Sequence, residues 1–134
     1  MITKGIRQLI AEAKKRSKGI GVEEASKRLG EANTVFVDIR DVRELEREGM
    51  IPGAFHAPRG MLEFWVDPES PYYKPVFTDG KTFILYCQAD WRGTLAAATL
   101  TEMGMENVLH LEGGFGAWRK AGAPTGPKPE KKTR

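Results

Sequence analysis

Apolar residues in this chain gather into short unbroken runs, separated by stretches with helical spacing. Thr34 to Ile39 reads Thr-Val-Phe-Val-Asp-Ile, Thr82 to Tyr86 reads Thr-Phe-Ile-Leu-Tyr, and Asn107 to Leu111 reads Asn-Val-Leu-His-Leu. Runs that are continuous rather than alternating predict strands covered on both faces. Phe55-His56-Ala57 predicts a further short strand, after a turn at Met50-Ile51-Pro52-Gly53-Ala54. Between the runs, Ile2, Ile6, Leu9, Ile10 and Ala13 recur at helical spacing and predict an amphipathic helix over residues 2–18. Lys14, Lys15, Arg16 and Lys18 favour its negative end, and Gly19 and Gly21 close it. Val22 to Leu29 predicts a second helix, closed by Gly30. Asp41 with Glu44 three residues on matches a capping box for a helix to about Arg47, stopped by Gly49.

Met61 to Val66 predicts one or two helical turns, and the Pro-, Tyr- and Gly-rich stretch 67–81 a surface connection. A helix running to Met103 follows the central strand, with Gly104 as its cap, and Phe115 to Lys120 predicts the last helix. Strands alternating with helices imply an α/β fold with a mostly parallel sheet and helices on both faces. In such sheets the functional loops lie at the C-terminal ends of the strands. A chain of 134 residues fits one hydrophobic core. The expected organisation is an amphipathic helix over 1–19, the domain proper over 20–122, and a basic, disordered tail over 123–134.

Charge refines this picture. The net charge of +3 is unevenly spread. Six basic residues against Glu12 give residues 1–20 a charge of +5, and four against Glu130 give residues 126–134 a charge of +3. The remainder is therefore acidic, at −5. An acidic body argues against nucleic-acid binding. No apolar stretch approaches the roughly 20 residues of a membrane span. Residues 1–18 lack the continuous apolar region of a signal peptide, and the single cysteine is unpaired, so a cytoplasmic location is expected.

That cysteine, Cys87, excludes an intrachain disulfide, a CxxC redox pair and a cysteine-rich zinc site. It sits between the central apolar run and a helical stretch, and opens the loop Cys87-Gln88-Ala89-Asp90-Trp91-Arg92-Gly93. Main-chain N–H groups converge in such a loop at a helix N-terminus, where they favour an anion and a thiolate. Arg92 supplies planar donors for an oxyanion or a sulfur-bearing anion.

Three stretches together resemble the rhodanese-like sulfurtransferases. Val37-Asp38-Ile39-Arg40, with Glu44 and Ile51-Pro52-Gly53-Ala54, looks like their first signature. Cys87 to Arg92 looks like their active-site loop, and His110 to Trp118 like their C-terminal signature. The resemblance implies a five-stranded, mostly parallel sheet and transfer of sulfane sulfur. Cys87 would accept sulfur from a small anionic donor such as thiosulfate, become a persulfide, and pass the sulfur to a thiophilic acceptor such as cyanide or a thiol. A sulfur-carrier protein is a further candidate partner, and no metal or organic cofactor is implied. Some phosphatases share this fold, and cysteine phosphatases place five residues between Cys and Arg. Here four intervene, which makes a smaller cradle, suited to a persulfide sulfur.

Departures from the pattern are informative. The fourth loop position, commonly glycine, is Asp90; the residue after the arginine, commonly serine or alanine, is Gly93; and Met50 stands where histidine is common. Aspartate tolerates left-handed backbone, but its carboxylate disfavours a neighbouring thiolate. Either the side chain points away or use of thiosulfate is weakened. Asp90 and the basic ends motivate an alternative, a binding or persulfide-sensing module on the same fold. Cys87 is the expected nucleophile, and Gln88, Ala89, Asp90, Trp91, Arg92 and Gly93 the substrate cradle. Arg59, which follows Pro58 after the short strand, is a further candidate for attracting anionic donors. Phe64 and Trp65 are expected to pack under a loop. Asp38, Arg40 and Glu44 are read as a structural network, and His56 and His110 as structural residues without metal-ligand spacing. Gly113-Gly114 lacks a phosphate-loop fingerprint and reads as a tight turn.

Overall fold

The computed structural model describes residues 1–130. Five parallel strands form one sheet: β1 (Lys18–Ile20), β2 (Thr34–Asp38), β3 (Phe55–His56), β4 (Thr82–Tyr86) and β5 (Val108–Leu111), in the order β1-β5-β4-β2-β3. β4 lies at the centre, with Phe36 beside Ile84, Val37 beside Leu85 and Asp38 beside Tyr86 in register with β2. Six helices surround the sheet: α1 (Ile6–Lys15), α2 (Val22–Lys27), α3 (Val42–Glu48), α4 (Leu62–Val66), α5 (Trp91–Glu102) and α6 (Gly114–Lys120). Short 3₁₀ turns occupy Arg59–Met61 and Pro75–Phe77.

The two-residue period of a strand divides β2 and β4 between two cores. Val37, Leu85 and Cys87 join Ala57, Leu62, Ala96, Ala97 and Leu100 on one face. Phe36, Ile84 and Tyr86 join Ala25, Phe115 and Trp118 on the other. Each layer buries large side chains with essentially no access to water, which explains why these strands read as continuous apolar runs. Ile10 and Ala13 are buried, and α1 lies along α5.

The structure refines several sequence expectations. The first helix is shorter than 2–18, because Lys18–Ile20 leaves it to pair with β5 as an edge strand. Its polar, three-residue sequence carries no strand signal, and pairing with Leu109, His110 and Leu111 creates it. The connection 67–81 is not wholly superficial, since Phe77 is buried against Phe83 and Phe55. The expected tail begins too early at 123. Met50 and Gly126 exchange two backbone hydrogen bonds, at 2.8 and 2.9 Å, and Trp118 Nε1 donates to the Pro124 carbonyl at 2.6 Å. The expected disorder at residues 131–134 lies outside the described residues. Among the described residues no helix is long and apolar enough to cross a membrane.

Candidate active site

β2 turns outward to β3, whereas β4 leads back toward β5 and β1, so their C-terminal ends diverge and leave a crevice. Ile39, after β2, donates its N–H to the Tyr86 carbonyl, and the next residue of the central strand is Cys87. The loop therefore starts from the most firmly held strand of the sheet. Its far side runs directly into α5, a helix of twelve residues whose N-terminal end faces the loop.

Two backbone N–H groups point at the sulfur. Asp90 N lies 3.1 Å and Gly93 N 3.4 Å from Cys87 Sγ. Both the amides and the helix dipole favour negative charge on that atom. Cys87 is only 1 % exposed, so a reactant must approach with a narrow terminal atom. The loop is braced from behind by the β5–α6 turn. Phe115 N–H bonds to the Cys87 carbonyl at 2.8 Å and Gly116 N–H to the Gln88 carbonyl at 3.0 Å. Gly114 has φ of +63°, and a Cβ there would stand 2.6 Å from the Cys87 carbonyl oxygen. The expected tight turn at Gly113-Gly114 thus has a further task, which is to shape the loop.

Asp90 has φ of 91° and is the one non-glycine residue with left-handed backbone among the described residues. Its carboxylate reaches β5, where His110 Nδ1 donates to Oδ1 and Oδ2 at 2.9 and 3.0 Å. Thr94 Oγ1 lies 3.4 Å from the same nitrogen. The carboxylate also accounts for Gly93, because a Cβ at position 93 would sit 3.0 Å from Asp90 Oδ1. The two departures from the usual loop pattern are complementary: a side chain at 93 would crowd the carboxylate.

Arg92 does not stand free over the loop. Its Nη1 and Nη2 donate to Glu44 Oε2 and Oε1 at 2.9 and 3.0 Å. These bonds raise the Arg92 pKa above its ordinary value against the lowering effect of burial, and the Cys87 sulfur adds to the rise. They hold the Glu44 carboxyl below the usual carboxylate range, again opposed by burial and aided by the Asp41 N–H. Glu44 also completes the expected capping box with Asp41. Arg59 is similarly engaged, with Nη1 2.6 Å from Glu63 Oε1 and its N–H on the Ile39 carbonyl. Gln88 reaches inward, its Oε1 accepting from Arg40 Nη1 at 3.2 Å. Arg40 and Asp38 form a fully buried pair, closest at 2.7 Å, and Arg40 also donates to the Gly49 carbonyl. His56 Nε2 donates to the Arg40 carbonyl at 2.8 Å.

Ala89, Asp90 and Trp91 face a side cleft of about 450 Å³, walled by Lys14, Ser17, Gly19, Thr94, His110, Glu112 and Gly113. Trp91 is half exposed, and the Arg7 guanidinium lies 5.9 Å from its ring centre. The first helix thus forms part of the wall of the site, which helical spacing alone does not reveal. A larger groove, about 600 Å³ and lined by Asp67, Asp79, Lys81 and Glu106, opens around the N-terminal ends of β4 and β5, away from the loop.

A profile of the rhodanese-like domain matches residues 21–121. The chain belongs to the rhodanese-like domain family. It is 32% identical over 106 residues to a sulfurtransferase of Allochromatium vinosum, covering 78% of this chain and 91% of that protein. It is 36% identical over 91 residues, 68% of its length, to an uncharacterised protein of Synechocystis, of which it spans 46%. A solved structure from Rhodopseudomonas palustris, a protein of unknown function described as a possible tyrosine phosphatase, superposes with a TM-score of 0.91 at 48% identity. That match covers 94% of this chain and 97% of the other. The rhodanese-like family accounts for the five-stranded parallel sheet and for a cysteine loop after its central strand.

Proposed function

We propose that this rhodanese-like chain is a sulfurtransferase that carries sulfane sulfur as a persulfide on Cys87. The observation that carries the reading is the pair of N–H groups, from Asp90 and Gly93, converging on the Cys87 sulfur at the head of α5. They favour the thiolate and, after loading, the terminal persulfide anion. With thiosulfate as donor, the Cys87 thiolate attacks the outer sulfur. Its S–S bond breaks and the electron pair leaves with sulfite, so the protein keeps a persulfide anion. A thiophile such as cyanide then attacks the outer persulfide sulfur, giving thiocyanate and returning the thiolate.

Sulfur transfer suits the burial of Cys87, since a sulfane sulfur is a single narrow terminal atom. The Allochromatium relative supports the reaction class. A second reading, phosphomonoester hydrolysis, draws on the description of the Rhodopseudomonas neighbour. The four residues between Cys87 and Arg92 weigh against it, as does an Arg92 already engaged by Glu44.

The test is intact-protein mass after incubation with thiosulfate and then cyanide, for wild type, Cys87→Ser and Asp90→Gly. The expected result is a gain of one sulfur on wild type, removed by cyanide and absent in Cys87→Ser. An adduct confined to Asp90→Gly would redirect the search to other donors. No adduct from thiosulfate or a low-molecular-weight persulfide, together with steady hydrolysis of p-nitrophenyl phosphate, would favour the phosphatase reading.

A further inference from the structure

Left-handed backbone is strained for any residue bearing a Cβ, and the strain persists only where the surroundings hold it. At Asp90 it is held. Three contacts meet at this one residue. Its N–H points at Cys87 Sγ. Its carbonyl accepts from Thr94 N at 2.8 Å, the first turn of α5. Its carboxylate receives His110 Nδ1 on both oxygens. His110 is 5 % exposed and anchored in β5, in register with Leu85 of β4, so the anchor is as rigid as the sheet.

We propose that His110 is a positioning residue for the nucleophile. It pins the Asp90 carboxylate, and this keeps the Asp90 backbone left-handed and its N–H on the Cys87 sulfur. In this design the sequence keeps a side chain at a position suited to glycine and replaces glycine's conformational freedom by a fixed partner across the sheet. The space that the pinned carboxylate needs is the space left open by Gly93. The proposal rests on Cys87 being the nucleophile, but it concerns the state of the thiol and not the fate of its sulfur.

The groups facing this assembly are Arg92 of α5 and, bonded to it, Glu44 of α3, Lys14 at the end of α1, Glu112 after β5, and Thr94. None of them is altered by the test. The rate of Cys87 alkylation by iodoacetamide is measured against pH for wild type, His110→Phe, His110→Asn, Asp90→Gly and the double variant Asp90→Gly/His110→Phe. Loss of one hydrogen bond to a thiolate is worth about tenfold, so His110→Phe should move the midpoint up by about one pH unit. His110→Asn, which keeps a donor near the Nδ1 position, should stay near wild type. Asp90→Gly also deletes a carboxylate, so its midpoint should fall. In that background His110→Phe should have no further effect, because glycine needs no anchor. Unfolding midpoints are recorded alongside.

An equal shift from His110→Phe in both backgrounds, or none in the wild-type background, would overturn the proposal. Sulfur loading is not read, so normal alkylation by a protein that never carries sulfur would sink the proposed reaction and leave this inference standing.

Discussion

Replacing Asp38 by Asn removes one charge from a pair with no access to water. Asp38 and Arg40 are both fully buried, and the Asp38 carboxylate accepts from Arg40 N, Nε and Nη2 at 3.1, 3.0 and 2.7 Å. Burial alone would lower the Arg40 pKa, but the hydrogen bonds and charge of Asp38 raise it above the ordinary value, so Arg40 keeps its proton. In the variant, a charged guanidinium remains inside without a counter-charge. Removing one partner of a buried pair costs about 3–5 kcal/mol. Arg40 retains the Gln88 and Gly49 oxygens and the rings of Phe115 and Tyr86, 4.4 and 5.7 Å away. Asn also keeps one accepting oxygen. These place the expected loss at the lower end, about 3 kcal/mol. Domains are stable by about 5–15 kcal/mol, so this is a large share, and it corresponds to a fall in Tm of roughly 10 °C or more. Urea unfolding followed by circular dichroism measures it, with an unchanged dependence on urea. Asp38→Asn/Arg40→Met replaces the stranded charge by an apolar chain and should recover at least half of the loss. A single-variant loss below about 1 kcal/mol, or a double variant weaker than the single, would refute the assignment of the cost to an uncompensated charge.

Four further outcomes are expected. Under the proposed sulfur transfer, Glu44→Gln frees Arg92, so the KM for thiosulfate should fall severalfold at low salt and converge with wild type at high salt, read by steady-state thiocyanate formation. Because Arg92 depresses the Glu44 pKa in the folded state, this pair stabilises the protein above the ordinary carboxylate range. That contribution is lost as pH falls through the lowered folded value. Arg92 is 42% exposed, so the effect is under about 1 kcal/mol in urea titrations at pH 7 and near zero in acid. Gly93→Ala should slow Cys87 alkylation, because its Cβ would stand 3.0 Å from Asp90 Oδ1 and press on a carboxylate held by His110, and adding Asp90→Gly should restore the rate. Tyr86→Phe removes the acceptor of the buried Ile51 N–H, 3.1 Å away, and should cost about 1–2 kcal/mol in urea unfolding without displacing the loop.

What could be read in advance depended on sequence distance. β2, β4 and β5 are legible because burial on two faces demands unbroken apolar runs, and the Asp41–Glu44 box because its partners are three residues apart. The family motifs point to Cys87 and its loop as the candidate site. The partners of the loop are another matter. Glu44 meets Arg92 across 48 residues and His110 meets Asp90 across 20, and no local pattern encodes either meeting. Left-handed backbone at Asp90 was consistent with its side-chain chemistry, but the direction of its carboxylate was fixed by a histidine that strand spacing marked only as structural. Arg59 is legible as a cation after the short strand, and the structure pairs it with Glu63, one helical turn on.

The first strand of the sheet pairs with the last, Lys18 beside Leu109. A ribosome adding about 5–20 residues per second needs roughly 5–20 s to travel between them. During that interval residues 18–20 have no neighbour to bond, and α1 has no α5 to lie against. The wall that Lys14 gives the cleft is therefore made well before the strand that puts it in place. An emerging chain presents the apolar side of α1 to the cell throughout that wait, which makes this helix the segment where early chaperone contact should concentrate.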